Sequence, residues 1–147
     1  MKTTIWFDMD GTIADLYGVD GWLPMLQAND PAPYVLAKPL VRLSTLAYML
    51  NRLQKQGYRI GVISWLAKNA TPEYNMAVTG AKQAWLAQHL PSVHWDEINI
   101  VPYGFGKWHF AQTPHDVLFD DEARNRIDWT GNAYDVDNII EVLKSLG

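Results

Sequence analysis

Residues 3–12, Thr-Thr-Ile-Trp-Phe-Asp-Met-Asp-Gly-Thr, constrain this chain more than any other stretch. They begin as a short, mostly apolar run, the pattern of a buried strand. The run then delivers two carboxylates, Asp8 and Asp10, into a Gly11-Thr12 turn. In an open parallel sheet, ligands bind in the crevice beyond the carboxyl ends of the strands. Paired acids placed there suit a hard cation such as Mg²⁺, which takes one or two carboxylates and leaves positions for phosphate oxygens. Gly11 permits a backbone conformation and a close approach that a side chain would obstruct. The competing reading is an ordinary acidic turn, since Asp and Gly are common turn residues. The apolar strand before the pair and the Gly-Thr after it favour a site.

Helical and extended patterns alternate along the rest of the chain. Leu43, Leu46, Ala47, Leu50 and Leu53 recur at helical spacing and Gly57 stands at the expected stop, which predicts a helix over 41–56. Residues 58–63 read as a second buried strand ending in Ser64-Trp65. Thr71-Pro72-Glu73 has the order of an N-cap, a first-turn proline and a first-turn acid. The helix that they open is predicted to run to about Leu90, with Ala77, Ala81, Ala84, Trp85 and Gln88 near one stripe. Residues 97–101 and 117–119 are further strands, the second closing on Asp120-Asp121, and 133–135 is a fifth. A final helix starts from Asp137 as N-cap, with Ile139, Val142, Leu143 and Leu146 on one face.

Strand–helix–strand units imply a parallel sheet with right-handed crossovers. The expected fold is therefore α/β: a three-layer Rossmann-like arrangement with a parallel sheet of about five strands, in a single domain over residues 1–147. Residues 18–40 form a very short cap insert, punctuated by Gly18, Gly21, Pro24, Pro31, Pro33 and Pro39. That insert is either a lid over the crevice or an ordinary surface connection. Asp15 either faces the crevice or favours the first turn of a helix.

Composition narrows the function classes. The 147 residues are 48% apolar and 19% charged, a globular balance, and the apolar run at the start carries two acids, unlike a signal peptide. No stretch has the length of a membrane span. There are no cysteines, which excludes thiolate chemistry and cysteine zinc sites and fits a cytoplasmic protein. The net charge is −4, so setting aside Asp8, Asp10, Asp120 and Asp121 leaves the rest of the chain near neutral. No basic stripe tracks a nucleic-acid backbone, which disfavours nucleic acid as a partner. The four histidines show no metal-ligand spacing.

The strand ends thus present Asp8 with Asp10, then Ser64, then Lys107 on a loop, then Asp120 with Asp121. This order resembles the haloacid dehalogenase-like (HAD) superfamily of phosphohydrolases, over nearly the whole chain. Its first motif is matched by Asp8-Met9-Asp10-Gly11-Thr12, its second by Ser64, its third by Lys107 and its fourth by Asp120-Asp121. Lys68 and Lys82 compete with Lys107 for the third role; as helix or loop lysines both read as solvated. Within the superfamily, Asp-Met-Asp-Gly-Thr-Ile-Ala-Asp and Phe-Asp-Asp-Glu-Ala-Arg-Asn are similar to the small 5′(3′)-deoxyribonucleotidase-like phosphatases, whose full helical cap this insert is too short to supply.

The resemblance implies a Mg²⁺-dependent phosphatase, 5′-nucleotidase-like, acting on a small phosphorylated metabolite or nucleotide. Asp8 is the implied nucleophile and Asp10 the acid and base. Ser64 and Lys107 bind phosphoryl oxygens. Mg²⁺ is held by Asp8, Asp10 through its backbone carbonyl, and Asp120, while Asp121 holds a metal water or positions Lys107. Met9, Gly11, Thr12, Ser64, Trp65 and Lys107 are the expected substrate contacts. Trp65, and Trp22 or Tyr17 in the insert, are placed to stack on a base. Arg124 and Asn125 either support the metal loop or cap a helix.

Three alternatives stand beside this reading: a phosphoacceptor signalling domain of receiver type, a binding-only relative, and a phosphatase of nucleic-acid ends. A receiver would place its acidic pair first and its lysine last, the reverse of the order here. Whether a homodimer closes the site is left open by the sequence.

Overall fold

The computed structural model describes residues 2–147. Strand β1 (Thr4–Phe7) is buried along its whole length and occupies the middle of a five-stranded sheet. On one side lie β4 (Arg59–Trp65) and then β5 (Glu97–Val101); on the other lie β6 (Val117–Phe119) and then β7 (Asn132–Tyr134). All four pairings are parallel, with Phe7 opposite Val62 on one side and Phe119 on the other. The chain winds outward from β1 to β5, then returns across the sheet to β6. The strand order therefore reverses at β1, the position where open α/β sheets bind ligands. The sheet matches the sequence expectation closely; β4 ends in Ser64-Trp65 as expected and starts one residue later, at Arg59.

Alternation along β1 separates two cores, since successive strand residues face opposite sides of a sheet. Ile5 and Phe7 face a large cluster with Ile60, Val62, Val117 and Phe119. Three helices cover that side: α3 (Leu43–Lys55) through Leu46, Leu50 and Leu53, α4 (Pro72–His89) through Trp85 and Leu86, and α6 (Ile139–Leu146) through Ile139 and Leu143. Trp6 faces the other side with Ile63, Leu118 and Trp129. That side is more thinly covered, by a 3-10 turn at Lys107–Phe110 and by α5 (Ala123–Asp128). Gly61 sits directly under the Trp6 ring: a methyl group there would collide with it, so the glycine makes room for the largest core side chain.

One buried carboxylate ties this second face to the sheet. Asp116, wholly inaccessible, accepts from the Thr4 and Gln112 main-chain N–H groups at 3.0 and 2.9 Å, from Trp6 Nε1 at 3.2 Å and from Thr113 Oγ1 at 2.7 Å. A charge can be buried when several donors replace its water.

The insert holds more regular structure than its glycines and prolines suggest. Its base is a two-stranded antiparallel ribbon of β2 (Ala14–Asp15) and β3 (Lys38–Pro39), extended by Leu40 N–H donating to the Ile13 carbonyl at 2.9 Å. Between them lie a 3-10 turn at Leu16–Gly18 and two short helices, α1 (Trp22–Gln27) and α2 (Ala32–Leu36). The Asp15 carboxylate accepts from Gly18 N–H at 3.0 Å, so it caps that turn and takes the structural one of its two expected roles. α2 docks on α4 through Tyr34, Tyr74, Val78 and Ala81.

One local expectation is corrected. The last helix is not capped by Asp137: Asp135 accepts from Val136 N–H at 2.7 Å, a 3-10 turn follows, and α6 begins only at Ile139. Arg124 and Asn125, for which the sequence left a loop or a helix cap open, lie in α5. As expected, Thr71 caps α4, accepting from Tyr74 N–H at 3.1 Å. No helix among the described residues is long and apolar enough to cross a membrane.

Candidate active site

Because β4, β1 and β6 are adjacent and parallel, their carboxyl ends bring Ser64, Asp8 and Asp120 to one edge of the sheet. Asp8 N–H donates to the Phe119 carbonyl at 2.9 Å, which locks the first acidic segment against the second. Between them sits Lys107, 2% exposed, with its Nζ 2.9 Å from Asp8 Oδ1 and 2.7 Å from Asp120 Oδ2. Burial alone would push this ammonium toward neutrality, but Asp8 and Asp120 together hold it above the ordinary lysine range. The other Asp8 oxygen accepts from Thr12 Oγ1 at 2.9 Å, so the turn that follows the strand fixes the carboxylate's rotation.

Asp120 is fastened by further donors: Glu122 N–H to Oδ1 at 2.9 Å and Asn125 Nδ2 to Oδ2 at 3.1 Å. Asn125, from α5, thus supports the acidic loop. Asp121 approaches from beside Thr12, whose hydroxyl accepts its N–H at 3.2 Å. Gly11 has φ of +81°, and a Cβ there would collide with the Asp121 carboxylate and the Tyr17 ring. A glycine is required on both counts.

Asp8, Asp120 and Asp121 each offer a carboxylate oxygen, and these three oxygens lie within 4.8 Å of one another. Crowded like charges resist ionisation. Burial first, and the Asp8 charge second, push Asp120 up to about 6 and Asp121 up to about 8. An all-oxygen, anionic donor set under electrostatic strain fits a hard divalent cation such as Mg²⁺. The Asp10 carboxylate does not join this set, and of Asp10 only the main chain remains for a metal.

The Asp10 side chain turns instead to Lys82. The Lys82 Nζ lies 2.9 Å from Asp10 Oδ2, 2.7 Å from Ser64 Oγ and 2.7 Å from the Trp65 carbonyl, and the side chain is 1% exposed. This corrects the expectation of a solvated lysine in mid-helix. The buried face of α4 is Tyr74, Val78, Ala81, Lys82, Trp85 and Leu86, turned from the stripe expected from its alanines. Lys82 stands four residues after Val78 and three before Trp85, a spacing that was the available signal. Burial lifts the Asp10 carboxyl above the ordinary carboxylate range; Lys82 opposes the lift and the Asp8 charge adds to it.

Over these groups opens a cavity of about 660 Å³, and the insert supplies one wall with Tyr17, Trp22 and Tyr34. Tyr17 and Trp22 pack edge to face with centroids 4.9 Å apart. The opposite wall is Trp65 and Tyr103, 5.1 Å apart, with the Arg124 guanidinium 4.8 Å from the Trp65 centroid and Lys68 Nζ 5.9 Å from that of Tyr103. Lys107 also lies 5.4 Å from the Trp65 centroid.

Of the sequence-predicted contacts, Asp8, Asp10, Trp65, Lys107, Asp120 and Asp121 line the cavity. The Met9 side chain is in the core, because it follows Asp8 onto the opposite face, and only its main chain is left for a substrate. Thr12 and Ser64 are wholly buried, the first against Asp8 and the second against Lys82. Gly11 supports Asp121 as described.

No family model matches the sequence, and no curated protein matches it. Solved structures do. D,D-heptose 1,7-bisphosphate phosphatase of B. bronchiseptica, determined with magnesium and phosphate, superposes with a TM-score of 0.56 at 13% identity, covering 100% of both chains. The same enzyme from Burkholderia thailandensis gives a TM-score of 0.49 at 16% identity, over 84% of this chain and 69% of that one. The HAD domain of the Legionella pneumophila effector Lem4 gives 0.40 at 13% identity, over 91% and 84%. The first of these, at full coverage, establishes a shared fold, and the chain has the HAD-like fold that its motifs implied.

Proposed function

We propose that this chain is a Mg²⁺-dependent phosphomonoester hydrolase that works through an aspartyl-phosphate on Asp8. The observation that carries the reading is the separation of the two motif acids. Asp8 is held among Lys107, Thr12 and the acidic loop, while Asp10, two residues on, is held by a different lysine outside that cluster. Asp8, fixed by Lys107 and Thr12, is presented for attack, while burial lifts the Asp10 carboxyl toward the protonated form. Paired acids with divergent environments are the pattern of nucleophile and acid–base partner.

In the first step an Asp8 oxygen bonds to phosphorus, the ester P–O bond breaks, and the leaving oxygen takes its electron pair and a proton from Asp10. In the second, Asp10 accepts a proton from water as the water oxygen attacks phosphorus, releasing phosphate and restoring Asp8. Lys107 and Ser64 supply positive charge and a hydroxyl to the phosphoryl oxygens, whose charge is spread in the transition state. When bound by Asp8, Asp120, Asp121 and the Asp10 main chain, Mg²⁺ would neutralise phosphoryl charge and hold the phosphate for in-line attack. The structural neighbour solved with magnesium and phosphate supports this assignment of cofactor and reaction class.

The substrate is a small phosphomonoester with an aromatic leaving portion, of which a (deoxy)nucleoside monophosphate is the leading member. A cavity of about 660 Å³ with aromatic walls supports this, being within the usual span of ligand pockets, about 300–1,000 Å³. The insert, residues 18–40, acts as the lid. The test is phosphate release from a panel of phosphomonoesters, deoxynucleotides included, with Mg²⁺ or with EDTA. Turnover that needs Mg²⁺ and disappears in folded Asp8→Asn is expected. Equal turnover in EDTA, or a fully active Asp8→Asn, would refute the mechanism.

A further inference from the structure

Lys82 is a buried ammonium that the reaction as set out above does not use. An ammonium has three N–H donors, and here all three have acceptors at 2.7–2.9 Å: Asp10 Oδ2, Ser64 Oγ and the Trp65 carbonyl. Those acceptors come from two places, the turn after β1 and the end of β4, while the lysine comes from a third, α4. A lysine needed only to neutralise Asp10 would not have to reach Ser64 as well. The geometry has a chemical consequence for each partner. With Oδ2 held, the other Asp10 oxygen is the one left to meet a leaving group. Ser64 Oγ accepts from Lys82, so its own proton is free to be donated elsewhere. The stem passes under the insert, and Nζ lies 5.2 Å from the Tyr34 centroid in α2.

We propose that Lys82 is a positioning residue for the phosphoryl-transfer step: anchored on Ser64 and the Trp65 carbonyl, it fixes the Asp10 carboxyl in line with the departing oxygen. The proposal rests on the phosphomonoesterase reading. It acts through Asp10, and Lys82 itself touches no reacting atom. The proton that Lys82 helps to place is the one that passes from Asp10 to the ester oxygen as the P–O bond breaks; the lysine keeps its own three protons.

A role in placing the acid can be told from a role in stability by the leaving group. An alkyl phosphate such as glycerol phosphate needs its leaving oxygen protonated, whereas p-nitrophenyl phosphate releases a phenolate that leaves without a proton. Positioned acids contribute about 10²–10⁴-fold to rate. In Lys82→Met, kcat/KM for glycerol phosphate is therefore expected to fall by about 10²-fold or more, and that for p-nitrophenyl phosphate by less than about tenfold. Asp10→Asn should show the same selectivity, and the double variant should lose little beyond it, because the two residues act as a unit.

Lys82→Arg, measured beside them, keeps the charge should Lys82→Met not fold. Its rigid planar fork cannot match three acceptors placed for an ammonium, so it is expected to show the same selectivity to a smaller degree. Equal losses on both substrates in a folded variant, or no loss on either, would overturn the positioning role. A folded wild-type chain that releases phosphate from no member of the phosphomonoester panel with Mg²⁺ would overturn the phosphatase reading, and this proposal with it.

Discussion

With no divalent cation bound to the acidic cluster, this protein's stability should fall as pH rises. Asp120 is pushed up to about 6 in the fold, against about 3.9 for an ordinary aspartate. A group whose folded value is raised contributes stability that is fully present below the unfolded value and is lost as pH rises through the folded one. At about 1.4 kcal/mol per unit of difference, Asp120 alone carries about 3 kcal/mol, lost between about pH 4 and 6. Asp121, pushed up to about 8, extends the decline in the same direction toward pH 8; its carboxylate is open enough to solvent that its share is smaller than the shift implies.

For a chain of this size the Asp120 share corresponds to a drop in Tm of about 6–12 °C between pH 4 and 7 in EDTA. Mg²⁺ binds only deprotonated carboxylates, so saturating Mg²⁺ should raise Tm most at pH 8 and least near pH 5. The assay is thermal unfolding across this range with and without the ion, in wild type and in Asp120→Asn. The variant keeps the side chain's shape but has nothing to titrate, and its decline between pH 4 and 6 should be the shallower. A metal-free wild type that gains stability over this range, or a variant with an unchanged slope, would refute the electrostatic account of the cluster.

Two further outcomes follow from the packing. Asp116→Ala leaves two main-chain N–H groups, an indole N–H and a threonine hydroxyl without their acceptor in a fully buried site. It should destabilise the fold by at least about 3 kcal/mol in denaturant unfolding, while the activity per folded molecule survives; a loss under about 1 kcal/mol would refute the structural role. Trp22→Ala removes an aromatic wall worth about 1–3 kcal/mol to a stacked ring. KM for nucleotides should rise by about 5- to 150-fold with little change for glycerol phosphate, and a parallel rise for both would show that the wall does not read the leaving group.

The parts of this molecule visible in its sequence are those written in local pattern. Strand 117–119 ends on two acids and is bounded as expected, and Thr71-Pro72 opens its helix. The spacing of Asp8, Ser64 and Asp120 to strand ends followed from alternating apolar runs, because parallel strands deliver their carboxyl ends to one edge. What escaped was set by partners far along the chain. Lys82 reads as a surface lysine until its 72-residue separation from Asp10 is closed by folding. Asp116 reads as a loop acid until Thr4 and Trp6, more than 100 residues earlier, donate to it. β2 and β3 are too short to signal themselves, and each exists only because the other pairs with it. Trp65 lines the cavity, and folding adds what its sequence position does not show, the Arg124 and Lys107 cations over its ring.

The ribbon of β2 and β3 has a further consequence. It stitches together the two legs of the insert at the point where they leave the domain, so the separation of β1 from α3 is set below the insert and not by its contents. The entropy of closing a loop grows only slowly with its length, about 0.6 kcal/mol per doubling. Above the stitch the two short helices are tied down unequally: α1 has no buried residue, whereas α2 packs on α4, the helix that carries Lys82. Changes in length or sequence at α1 should therefore leave the acids at the strand ends in place, while changes in α2 reach Lys82 through α4.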